Sequence, residues 1–87
     1  MTNRLHPPAA EDVWQILVEE CGAAPNGDHE SFVYHWPTTE YRFIGSLGFG
    51  GKVWWDAGRC YVNCYREDRT PEREAAIERA NKRLAAL

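Results

Sequence analysis

Eighty-seven residues, 44% apolar and 26% charged, suit one globular domain with a small core and exclude a disordered chain. No apolar run approaches the roughly 20 residues that span a bilayer, and Met1-Thr2-Asn3-Arg4-Leu5-His6-Pro7-Pro8 lacks the apolar centre of a secretory signal, so a soluble cytoplasmic protein is expected. A net charge of −3 and a pI near 5.5 argue against a dedicated binder of phosphate backbones.

Residues 1–87 read as a single domain in which residues 1–8 form an extended arm, because Pro7-Pro8 fixes the backbone. A helix follows, from Ala9 or Ala10 to Cys21. Val13, Trp14, Leu17 and Cys21 recur at helical spacing with Ile16 alongside, and Gly22 is a stop. Ala23 to Glu30 is a loop containing the turn Pro25-Asn26-Gly27-Asp28. Four strands are then expected: Ser31 to Trp36, Tyr41 to Leu47, Lys52 to Trp55 and Arg59 to Tyr65. They are separated by Pro37 to Glu40, by Gly48-Phe49-Gly50-Gly51 and by the hairpin turn Asp56-Ala57-Gly58. After the charged exit Arg66-Glu67-Asp68-Arg69, Thr70 caps a second helix with Pro71 at its first position. This helix runs to about Ala86, with Ala76 or Ile77, Ala80, Leu84 and Leu87 as its buried stripe. The fold class is α+β: a four-stranded antiparallel meander flanked by N- and C-terminal helices, in the order α-β-β-β-β-α.

Ten of the eleven aromatic residues lie between Phe32 and Tyr65, and many are spaced by two: Phe32, Tyr34 and Trp36, then Tyr41 and Phe43. Alternation sends rings to both faces of a sheet. Only one face can line the core of so small a domain. Trp54, Tyr61 and Tyr65 fall on the opposite set from Val53, Trp55, Cys60, Val62 and Cys64, though alternation alone does not say which set is inside. Phe49, among glycines, is either an exposed anchor or folded under the sheet. With Arg59, these rings are candidate anchors for a protein partner.

Charge is uneven. Residues 1–45 carry seven acids and two bases, residues 46–87 six acids and eight bases. Glu11, Asp12, Glu19 and Glu20 make the first helix acidic. They are either an ordinary solvated surface or a patch that steers a basic partner, such as a nucleic-acid-binding complex.

Other chemistry finds little support. Cys21, Cys60 and Cys64 read as buried thiols acting as small hydrophobes, since a strand holds Cys60 and Cys64 roughly 13 Å apart. With His29 and His35 they are also candidate metal ligands, but an extended strand is a poor place for a zinc knuckle, so neither metal nor cofactor is expected. No local feature sets a Cys–His nucleophile pair or a pair of carboxylates, and the chain is expected not to be an enzyme. Gly45-Ser46-Leu47-Gly48-Phe49-Gly50-Gly51-Lys52 lacks the order of a phosphate loop and leads into a strand instead of a helix. Trp54, Tyr61 and Tyr65 flanked by Arg42, Lys52, Arg59 and Arg66 could alternatively stack nucleic-acid bases. A homodimer burying the aromatic face is a third outcome.

The helix, antiparallel sheet, helix order is similar to that of double-stranded RNA-binding domains. In those the last helix begins with a basic cluster, whereas here Thr70-Pro71-Glu72-Arg73-Glu74 is acidic, so RNA binding is not carried over. The stretch Cys64-Tyr65-Arg66-Glu67-Asp68-Arg69-Thr70-Pro71-Glu72-Arg73, leading into an Ala/Arg/Glu helix in a short acidic α/β chain, resembles small phage- and prophage-encoded proteins, anti-CRISPR proteins among them. That resemblance implies a stoichiometric inhibitor of a bacterial defence complex, and it transfers no individual residue. The expectation is a non-enzymatic protein-binding domain without membrane attachment.

Overall fold

The computed structural model describes residues 6–23, 29–37, 41–44, 50–56, 58–64 and 66–87. In chain order they form α1 (Ala10–Cys21), α2 (His29–His35), β1 (Tyr41–Ile44), β2 (Gly50–Asp56), β3 (Arg59–Cys64), a 3-10 turn (Arg66–Asp68) and α3 (Pro71–Ala86).

The apolar stripe of α1 is buried at Val13, Trp14, Ile16, Leu17 and Cys21. Glu11 and Asp12 in its first turn complement the helix dipole. Gly22 ends the helix at φ 71, a left-handed conformation that a Cβ would disfavour, and this lets the Ala23 amide donate back to the Leu17 carbonyl at 3.1 Å.

The segment expected to be the first strand is α2, a helix. Phe32 and Trp36 are four residues apart, a spacing that satisfies both a strand's period of two and a helical i, i+4 pair. Tyr34 decides between them. A strand would bury it beside its neighbours, but it is 84% exposed. Phe32 and Trp36 stack at 5.3 Å between ring centroids, and Phe32 meets Trp14 of α1 at 5.2 Å. The Trp36 indole N–H donates to the Pro8 carbonyl at 3.0 Å, so the end of the expected arm is tied to the residue that follows α2.

The fold is therefore α+β, but the four-stranded meander is overturned. Among the described residues the sheet is antiparallel with three strands in the order β1-β2-β3. Gly50 and Gly51, read as part of a breaker, belong to β2, where Gly51 lies opposite both Phe43 and Cys64. Of the expected strand ends, residues 45–47 and Tyr65 lie outside the described residues, as does the turn at residues 25–28. Between β2 and β3, Asp56 faces Arg59 and Gly58 takes φ 80, the geometry of a two-residue hairpin.

Val53, Cys60, Val62 and Cys64 turn inward and join Val13, Leu17, Phe32, Ala80 and Leu84 in one core, with Trp55 packed against it. Burial of each such large aliphatic or aromatic side chain contributes about 1.5–3 kcal/mol. α3 lies along β3 and α1 packs on α3. The Thr70 hydroxyl caps α3 by accepting from the Arg73 amide at 3.2 Å. Leu87, expected at the end of the buried stripe, is 41% exposed.

The free edge of β3 is closed by a side chain. Asn81 of α3 accepts from the Val62 amide at 2.8 Å and donates to the Val62 carbonyl at 3.0 Å. Two residues on, the Asn63 carboxamide oxygen accepts from the Cys64 amide at 2.9 Å.

Candidate functional site

Because Val53 and Val62 face the core, the intervening residues of β2 and β3 face away from the helices. This outer face carries Lys52, Trp54 and Asp56 from β2 and Arg59, Tyr61 and Asn63 from β3, with Arg42 of β1 paired to Lys52. Trp54 and Tyr61 are direct cross-strand partners. Their rings stack at 5.1 Å with 21° between planes. Two residues along β3, the Arg59 guanidinium carbon lies 4.7 Å from the Tyr61 ring centre, a cation–π contact. Both rings are half-buried, Arg59 is exposed, and the three side chains hold one another on the sheet.

The acidic residues lie elsewhere. Glu11 and Asp12 are exposed on α1, on the helical side of the domain. Glu20 is held by Arg79 Nε at 3.0 Å and Arg83 Nη1 at 3.2 Å, and Glu19 meets Arg83 Nη2 at 2.7 Å. The Glu19 carboxyl also accepts from Gln15 Nε2 at 2.9 Å. This hydrogen bond first, and the one from Arg83 second, holds its pKa below the usual carboxylate range. Glu19 and Glu20 thus tie α1 to α3, and the expected acidic patch reduces to Glu11 and Asp12. Phe49 and Tyr65 lie outside the described residues.

Of the residues weighed for other chemistry, Cys21, Cys60 and Cys64 are buried free thiols. Burial pushes the Cys21 thiol up to about 12, with the adjacent Glu20 carboxylate adding to the shift. His35 is exposed on α2, its ring edge-on to Tyr34 at 5.0 Å. Among the described residues no three His, Cys, Asp or Glu side chains are grouped to hold a metal ion, and no helix is long and apolar enough to cross a membrane.

Two features of the outer face escaped the sequence reading. Asn63, opposite Lys52, accepts a hydrogen bond from Arg69 Nη2 at 3.0 Å. A notch of about 230 Å³ lined by Gly51, Lys52, Trp54, Asn63 and Cys64 opens beside the aromatic pair. Once the turn pairs Asp56 with Arg59, counting back in register gives Trp54 with Tyr61 and Lys52 with Asn63, so this neighbourhood was open to inference. The position of Arg69 was not, because it depends on the 3-10 turn that brings the chain back. Comparison of the chain with protein-family models, with curated proteins and with solved structures returned no match.

Proposed function

We propose that this chain is a non-enzymatic protein-binding domain whose contact surface is the outer face of the sheet. The observation that carries the reading is the Trp54–Tyr61 stack with Arg59 laid over it, on the side away from the helices. Tyr, Trp and Arg are the residue types that dominate binding energy at protein interfaces. Held together before any partner arrives, they lose little rotamer freedom on contact. The buried thiols, with Cys21 far above neutral pH, support a role without a cysteine nucleophile. The narrower form of the proposal is a stoichiometric inhibitor of a bacterial defence complex, as the resemblance to small phage-encoded proteins implies.

The test is a parallel pull-down with wild type and a W54A/Y61A double variant whose fold has been checked by circular dichroism. A protein retained in stoichiometric amount by wild type and lost from the variant supports the reading. Equal capture by both, or self-association of wild type that the double variant abolishes, overturns it.

A further inference from the structure

The charges of α3 fall on two sides of the helix, and only one side is satisfied. Toward α1, Arg79 and Arg83 hold Glu19 and Glu20. On the other side Glu74, Glu78 and Lys82 follow one another every four residues, about 6 Å apart along the axis. All three are exposed, and among the described residues none of them is ion-paired. Glu74 and Glu78 repel each other at this spacing, a cost that a cation set between them relieves. The three line a groove of about 500 Å³ between α3 and the end of β3. The groove has an apolar floor in Ile77 and Cys64, both buried, and exposed Ala85 at its far end. Arg69 is the remaining charge of the lining. It is hydrogen-bonded to Asn63 at 3.0 Å, and neither Glu74 nor Glu78 is within ion-pair distance of it.

We infer that this groove receives an amphipathic helix of a partner protein, antiparallel to α3, with apolar side chains on Ile77 and Cys64, an acid facing Lys82, and Lys or Arg facing Glu78 and Glu74. The groove is a second contact surface and does not depend on the outer face of the sheet. A helix is the fitting occupant because the backbone of the β3 wall is already engaged. Asn81 takes both groups of Val62, and Asn63 takes the Cys64 amide. An extended segment finds no ladder to join there, whereas a helix satisfies its own backbone and docks through side chains. From Glu74 to Ala85 the groove follows about 16 Å of α3, enough for three turns of a partner. Charge sets the direction. Antiparallel to α3, the partner's acid comes early and its bases four and eight residues later, the distribution its own dipole favours, and a parallel helix would reverse it. A small molecule fits less well. Such sites bury about 70–90% of their ligand, and here Glu74, Glu78, Lys82 and Ala85 are all exposed along an open trough.

The experiment is fluorescence titration of the full 87-residue chain with two labelled synthetic peptides of about 18 residues, long enough to be helical. One has a glutamate followed by lysines four and eight positions later, with leucines along the same face. The other has every sign exchanged. The first should bind at least about tenfold more tightly, and the E74K/E78K variant should lose or invert that preference. A85W fills the groove from an exposed position and should abolish binding while its circular dichroism stays native. Equal affinity for the two peptides, or no binding of either, overturns the inference. So does binding that A85W leaves intact, and loss of that binding in W54A/Y61A would move the peptide to the outer face of the sheet. None of these failures touches the pull-down that tests the outer face, because that experiment turns on Trp54 and Tyr61, which do not line the groove.

Discussion

Asn81 and Val62 exchange two hydrogen bonds, so the Asn81 carboxamide does for the edge of β3 what a further strand would do. An open strand edge is a template for pairing with another chain, and this contact covers it. Replacing Asn81 with Ala removes both partners from the partly buried Val62 backbone groups. The expected loss is about 2 kcal/mol in urea unfolding, together with concentration-dependent association seen by light scattering. Asn81→Asp keeps the acceptor for the Val62 amide but faces its carbonyl with a carboxylate oxygen, and it should also destabilise. Wild-type stability in N81A would show that the contact carries no weight.

Phe32 is fully buried between Trp14 and Trp36. Phe32→Ala should cost about 3–5 kcal/mol. Against a typical total of about 5–15 kcal/mol, that brings the domain close to unfolding. Tyr34→Ala, on the exposed side of the same helix, should change stability by less than about 0.5 kcal/mol. Thermal melts of the pair test α2 directly, because a strand would have placed the two rings on one face.

Acid should loosen the seam between α1 and α3. Glu19 has a folded pKa below its unfolded value, so its contribution is full above the ordinary carboxylate range and disappears as pH falls through the lowered folded value. The melting temperature of wild type should therefore fall more steeply on the acid side than that of E19Q, which cannot titrate there. Because the Glu19–Arg83 pair is exposed, the difference should be small and should shrink with added salt. Identical acid limbs for the two proteins would rule out a role for this pair.

The thiols should be silent in the native protein. Cys21, Cys60 and Cys64 are all buried, which shields them from reagent, and Cys21 is in addition pushed up to about 12, so hardly any Cys21 thiolate exists at neutral pH. A disulfide exchange reagent should label none of the three on the timescale on which it labels all of them in denaturant. Rapid labelling of the folded chain would mean that the inner face of β3 is open.

Much of this arrangement was legible in the residues because local signals were strong. The stripe of α1, the Gly22 stop, the Thr70-Pro71 start of α3 and the Asp56–Arg59 hairpin each combine periodicity with cap or turn chemistry. α2 was missed because three rings spaced by two outweighed the fact that the outer two also fit a helical turn. A seven-residue segment offers too few repeats to separate the two periods. Glycines 50 and 51 were read as a breaker because they weaken strands in isolation, yet Gly51 is buried at the centre of three strands, a preference that tertiary pairing overrides. The ion pairs of Glu19 and Glu20 were invisible for another reason. Arg79 and Arg83 lie about sixty positions away, and no periodicity reports contacts of that range.

The same distance along the chain has a consequence for synthesis. α1 emerges early with Leu17 and Cys21 needing cover, but its main packing partner, α3, comes last among the described elements. A nascent chain holding only α1, α2 and part of the sheet keeps an oily helix surface exposed while it waits on the ribosome. Closure then joins the two outermost helices in one late, long-range step, and a stalled or truncated product lacking α3 is a ready substrate for chaperones and proteases.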